Sequence, residues 1–433
     1  MPTTESFLAE LQTEASPLIS PQAITNKKWL SAVWLILNAL IGSGLLNYPY
    51  AIYKSGGIGM ALAIELVLML WIWTGISGIV WCTQLCRSHY YQETVHCLLG
   101  NAGLYLCCCA ILLETFMGCA NIMLGSGGQF HAAITNIFQQ QGGWLASKAF
   151  ILFVQSTLII LPLCLVPQLE KLRNVSFIAV VFILVLTLFA LVQLFCTDKS
   201  QVELIWTPQS WSEPFLAVPA FTYSFMAHLT CVVVFGSVPG QSWLAFQKFL
   251  VTSLVIGIVT YNLVGISAFC TFGPAIHANF MTNYSHHSVL VNIVQLFYCL
   301  KLGFEFPILQ YLGFTAIRTL YAGLTRRERI SFEESSRNSQ FKWLRFVTTI
   351  AWISATYAIA VFAKNINFIL PLVSVATLQL QLTFPGLCIL FALRRQDCEE
   401  LSNKRVLKVV ALVLVSSGIL LALIVLVQYL GKF

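Results

Sequence analysis

With 433 residues, the chain could form about three soluble domains of ~150 residues each. Composition excludes that: charged residues make up 9% and hydrophobic residues 58%, where a soluble protein carries about 25% charge. So few charges cannot solvate a body of this size, and a mean hydropathy of +0.80 reads as an integral membrane protein. The surplus of 24 Lys+Arg over 17 Asp+Glu does not point to nucleic acid, because the basic residues fall in short segments between apolar runs. Nor do the 14 cysteines form a disulfide framework. Most, including Cys107, Cys108 and Cys109, lie inside apolar runs and pack as small hydrophobes.

Residues 1–28 carry Glu5, Glu10 and Glu14 and no apolar core, and read as a cytosolic tail, not a cleaved signal peptide. Within it, Glu14-Ala15-Ser16-Pro17-Leu18-Ile19 has the form of an acidic dileucine sorting signal. Glu14, Leu18 and Ile19 on an unstructured segment predict a sorting adaptor as partner and an endolysosomal membrane, with the plasma membrane as the alternative address. From residue 29 onward, about 20 apolar residues per crossing predict one all-α bundle of eleven transmembrane helices. They run roughly 30–53, 57–85, 102–134, 147–166, 174–196, 214–236, 248–273, 288–318, 342–363, 366–393 and 406–430. With the amino terminus in the cytosol, 18 Lys and Arg residues fall on that side and 5 on the other, and Lys301 lies within the membrane. The split satisfies the positive-inside rule. The sequon Asn283-Tyr284-Ser285 falls on the far side and is a candidate for glycosylation; Asn174-Val175-Ser176 falls on the cytosolic side.

The first span contains Asn38-Ala39-Leu40-Ile41-Gly42-Ser43-Gly44-Leu45-Leu46-Asn47-Tyr48-Pro49. Two glycines and a serine weaken a helix where no water replaces lost hydrogen bonds, and such a break persists only beside a cavity or buried in protein. Its freed N–H groups and half-helix dipole can hold a carboxylate. Close packing through small residues is the competing reading, but the Gly-x-Gly spacing flanked by Asn38 and Asn47 favours the break. The sixth span offers a counterpart, Pro219-Ala220-Phe221-Thr222-Tyr223-Ser224-Phe225-Met226-Ala227-His228, with a proline, hydroxyls and a histidine but no glycine. Interrupted helices at positions one and six are what two inverted five-helix repeats produce, with a site at their interface.

The stretch from Trp29 to Gly57 resembles the first helix of the sodium-coupled neutral amino acid transporters, of the amino acid/auxin permease superfamily. Tyr91-Gln92-Glu93, Phe225-Met226-Ala227-His228, Thr271-Phe272-Gly273, Pro307-Ile308-Leu309 and Phe384-Pro385-Gly386-Leu387-Cys388 are similar to further motifs of that family, in order along the chain. The resemblance implies a LeuT-type 5+5 inverted repeat plus one C-terminal helix: repeat one about 29–196, repeat two about 214–393, an extra helix about 406–430. It also implies amino acid transport, nearest the glutamine-handling branch. Two departures argue against sodium coupling. Relatives carry a Thr/Ser pair in span eight, where this chain has Lys301-Leu302-Gly303-Phe304-Glu305, and an Ile-Gly-Asp in span three, where it has Leu124-Gly125-Ser126-Gly127.

Independently of any family, Lys301 lies deep in the hydrocarbon, where a lone charge costs at least ~2.5–3.5 kcal/mol. Glu305, four residues on, shares its helix face and can neutralise it. The pair is either a structural lock or a fixed ammonium standing where sodium would bind. Of two further intramembrane acids, Glu65 lies near the outer end and is expected to reach water, while Glu114 is deeper and open to either a structural or a proton-handling role. Trp71, Trp73 and Trp81 read as lipid contact. No metal-ligand spacing, nucleophile elbow or phosphate loop is present, so the reading is no enzyme and no cofactor. The expected function is a secondary active transporter of a small neutral amino acid. Gly42, Ser43, Gly44 and Asn38 line its substrate site with Ser224 and His228; Lys301, Glu305 and Glu114 are the ion or proton candidates. Sodium is disfavoured and a proton is the alternative coupling ion. A sensor that binds the same ligand with little flux is the competing function.

Overall fold

The structure, a computed structural model, describes residues 26–138, 147–166, 172–197, 212–237, 242–284, 288–325, 339–362, 366–394 and 403–430, with 202, 204–208 and 210. The described residues form no strand. The helices are α1 (Asn26–Leu40), α2 (Gly44–Lys54), α3 (Ile58–Cys86), α4 (Tyr91–Phe138), α5 (Lys148–Cys164) and α6 (Arg173–Cys196). Next come α7 (Glu213–Ser224), α8 (His228–Ser237), α9 (Trp243–Phe272), α10 (Val289–Thr325) and α11 (Ser339–Phe362). The last are α12 (Ile366–Leu378), α13 (Phe384–Ala392) and α14 (Lys404–Leu430).

Nine spans are long and apolar enough to cross a membrane among the described residues, α7 and α8 counting as one and α12 and α13 as another. The pair α1–α2, bent by 50°, makes ten. The fourth expected span is α5, a shorter apolar helix, so length and composition alone do not reach the expected eleven. Two expected boundaries also move. Helix α9 begins at Trp243, not near 248, because the Ser242 side chain caps it by accepting from the Ala245 N–H. Helix α10 runs past 318 to Thr325. Lys248 and Arg318 thus mark where polarity changes, not where the helices end. The amphipathic foot of α4 is set off from its membrane part by Gly100, whose φ of 70° a side chain would disfavour.

The bundle is inside-out relative to a soluble protein: α3, α6 and α14 turn leucines and valines outward, among them Leu66, Leu188 and Val427, as lipid-facing helices do. The interior is reserved for α1, α2, α7, α8 and α10. In the span Glu213–Ser237, 94% of the apolar window is buried, against 39% in α14. Close approach is bought with small residues: a Cβ at Gly386 of α13 would lie 2.7 Å from the Ala411 carbonyl of α14. Regular α-helix also gives way twice to π-helical turns, Ser156–Ile160 within α5 and Gln379–Thr383 between α12 and α13.

Candidate functional site

Span one stops being helical at Ile41, Gly42 and Ser43 and resumes at Gly44. Span six stops at Phe225, Met226 and Ala227 and resumes at His228. The two interruptions meet. A Cβ on Gly44 would lie 2.7 Å from the Ser224 Oγ and 3.0 Å from its Cα, so glycine permits the contact between α2 and α7. Beside it, Ser43 Oγ and Tyr223 OH share a hydrogen bond of 2.8 Å, and Asn121 of α4 donates to the same Ser43 oxygen at 3.1 Å. Ser224 itself donates back to the Ala220 carbonyl at 2.7 Å.

The polar backbone released by each break has to be accounted for. On span one, Tyr261 of α9 donates to the Leu40 carbonyl at 3.1 Å and Tyr298 of α10 to the Gly42 carbonyl at 2.8 Å. On span six, Gln381 from the π-turn donates to the Phe225 carbonyl at 3.0 Å and to that of Thr222 at 3.4 Å. The carbonyls are engaged, and the Gly42 amide lies against the Tyr261 hydroxyl. Among the described residues, the backbone N–H of Ser43 donates to no backbone carbonyl, and Ser43 is buried. A buried amide left over in this way is rare.

Lys301 Nζ donates to Glu305 Oε2 at 2.6 Å, one turn along α10, with both side chains out of contact with solvent. The carboxylate does not merely neutralise the lysine. It lies against the gap in span one, where a Cβ on Gly42 would overlap Glu305 Oε1. A carboxylate therefore already covers the Gly42 side of the break, while Ser43 and Gly44 face Tyr223, Ser224 and Asn121.

Not every expected residue faces this gap. Asn38 is buried but turns toward α6, where its amide donates to Ser176 Oγ at 3.2 Å. His228 heads α8 and meets Glu114 of α4, with Nε2 and Oε2 3.2 Å apart, so the two join in a second buried pair. Glu65, expected to reach water, is 3% exposed instead. Asn262 of α9 reaches it from within the bundle and donates to Oε2 at 2.7 Å. The Asn283 side chain is built into its loop, accepting from the His277 N–H at 2.8 Å and donating to the Ala275 carbonyl at 2.9 Å. Glu14, Leu18 and Ile19 lie outside the described residues. Tyr223, Asn121, Tyr261, Tyr298 and Gln381 had no signal strong enough to single them out. The lone amide of Asn121 in an apolar run was the readable hint.

Two broken helices facing one another inside an all-α membrane bundle define a transporter of the inverted-repeat class. A family model described as "Transmembrane amino acid transporter protein" matches residues 25–430, and the chain belongs to that family, one of transporters and not of enzymes. It is 26% identical over 414 residues to "Sodium-coupled neutral amino acid transporter 7" of Homo sapiens, covering 94% of this chain and 87% of that one. Against "Solute carrier family 38 member 8" of Homo sapiens, identity is 25% over 373 residues, covering 84% and 85%. Among solved structures, MhsT in complex with L-phenylalanine has a similar fold. The TM-score is 0.59 at 13% identity, covering 93% of this chain and 100% of that one. The LeuT-type fold of this multi-pass membrane protein follows from that likeness.

Proposed function

We propose that the chain is a secondary active transporter that moves a small neutral amino acid, glutamine-like or alanine-like, by alternating access and without sodium. The observation that carries this reading is the buried Ser43 amide, which meets no backbone carbonyl at the break, a donor suited to a substrate carboxylate at a half-helix end. The carboxylate would settle on the Ser43–Gly44 flank, since Glu305 covers the other. The amino group would take the α7 end around Ser224. Sodium independence is supported by Lys301, whose ammonium brings a fixed positive charge to the broken helix by way of Glu305. It is supported further by the Leu40 and Gly42 carbonyls, natural cation ligands that tyrosine hydroxyls already occupy. Uptake of labelled glutamine, alanine and leucine into liposomes, with sodium replaced by choline, tests both halves. Equal uptake in the two salts is expected. Collapse in choline refutes the sodium reading, and saturable binding without uptake overturns transport in favour of a sensor.

The tail motif at Glu14, Leu18 and Ile19 supports an endolysosomal address reached through a sorting adaptor. Imaging a Leu18→Ala/Ile19→Ala variant beside the parent is the test, and an unmoved variant removes the motif from the argument. A glycan on Asn283 would require its Nδ2 to leave the Ala275 carbonyl, which an endoglycosidase mobility shift detects.

A further inference from the structure

Glu114 and His228 form a buried acid–base contact that substrate binding at the gap does not use. Glu114 is 0% and His228 1% exposed. Nε2 and Oε2 stand 3.2 Å apart, close enough for an ion pair but not aligned as a hydrogen bond. Among the described residues, neither carboxylate oxygen and neither ring nitrogen has another hydrogen-bond partner. Such a pair has a definite proton count. With imidazole neutral and the carboxylate ionised, it holds one uncompensated negative charge in the membrane interior, which is expensive. One added proton makes it neutral overall, as an imidazolium–carboxylate pair or as a carboxylic acid beside imidazole. Lys301 and Glu305, by contrast, already balance without a proton.

Position gives the pair leverage. His228 is the first residue of α8, directly after the break in span six, and Glu114 sits on α4. Any movement of α8 against α4 during alternating access changes the contact. A small cavity lies one residue away. It holds about 10 Å³, the size of one water, and is lined by Tyr90, Tyr91, Gln92, Ile111, Leu229 and Thr315. It thus lies beside the ring of Tyr91, which packs edge-on to His228 at 5.9 Å. Tyr90, at its other side, has Glu93 and Arg318 as charged neighbours. The other titratable groups in this cluster are Tyr91, Cys107 and Cys108 on α4, Cys82 on α3 and Cys388 on α13. All are neutral in their ordinary state near pH 7.

We infer that Glu114 and His228 together bind the coupling proton, taking it up through the cavity beside Tyr91 and releasing it when α8 moves away from α4. This rests on the transport reading above and adds the ion that drives it. The test uses full-length protein in liposomes loaded with a pH-sensitive dye. On adding glutamine or alanine, the parent should acidify the lumen and take up more substrate as the outside is acidified. Glu114→Gln and His228→Gln should each lose proton entry and the pH response, while equilibrium exchange of substrate at equal pH persists. Glu65→Gln, a buried acid outside the pair, should keep all three. Proton entry retained in the Glu114 or His228 variants, or lost in the Glu65 variant alone, overturns the assignment. So does a parent that transports with no proton movement. A parent that neither takes up nor exchanges any amino acid sinks the transport reading itself. Should both variants fail to exchange, labelling of the purified parent with an apolar carbodiimide decides: modification of Glu114 must decline as pH rises. Labelling that is absent or flat with pH refutes the proton site.

Discussion

The break in span one runs through Gly42 and Gly44 and leaves the Ser43 amide without a backbone acceptor, with tyrosines from two different helices holding its carbonyls. The break in span six contains no glycine; one side chain, Gln381, bonds two of its carbonyls. The first is made by removing side chains, so that backbone and a neighbouring carboxylate can come close. The second is imposed by a partner across the bundle. The first break is therefore sensitive to added volume and the second to a lost hydrogen bond.

The largest effect is expected at the charge that the first break leans on. Lys301→Met leaves Glu305 buried without its counter-charge, and thermal unfolding in detergent should show a loss of about 3–5 kcal/mol. Lys301→Met combined with Glu305→Leu should recover most of it, since replacing both partners removes the stranded charge. No recovery in the double variant would mean that the pair is not what the region needs. Next is volume: Gly44→Ala puts a methyl 3.0 Å from the Ser224 Cα, which is backbone and cannot swing aside. Overpacking of about 1–3 kcal/mol is expected, with uptake lost before stability is. Uptake at the parental rate would show that the two breaks need not touch. The smallest effects separate the two designs directly. Gln381→Leu takes a donor from two carbonyls at once, Phe225 keeping only its bond from the Ala227 N–H, and should cost about 1–3 kcal/mol, whereas Tyr298→Phe removes one neutral bond worth about 0.5–1.5 kcal/mol. Equal losses in the two variants would erase the distinction drawn here.

The break in span one was readable because glycine states its purpose in the sequence: two of them in mid-membrane, flanked by Asn38 and Asn47, have few other uses. The Lys301–Glu305 pair was readable for a similar reason, being four residues apart on one helix. What was not readable depended on distant segments. Asn38 looked like a site residue because it neighbours the glycines, but helical phase turns it onto Ser176 of α6. Glu65 looked exposed by depth alone, until α9 covered it with Asn262. Glu114 and His228 were each picked out as ionisable residues in apolar surroundings, yet nothing in spacing joins positions 114 residues apart. Gln381 was invisible because its role comes from a π-turn, and the local sequence of that turn is an ordinary apolar helix.

That turn holds one residue more than a regular helix would. Its carbonyls fan outward: Leu380 accepts from Tyr91 at 2.7 Å, and the Gln381 carbonyl fits against Gly75 of α3, where a Cβ would overlap it. Removing a single residue here would restore an unbroken α-helix and rotate everything beyond it by about 100°. Gly386 would then swing off Ala411, and α14 would lose its seat. The turn acts as a ratchet: losing its extra residue would require α3, α4 and α14 to change together. Its length should therefore be held constant among descendants even where its residues drift.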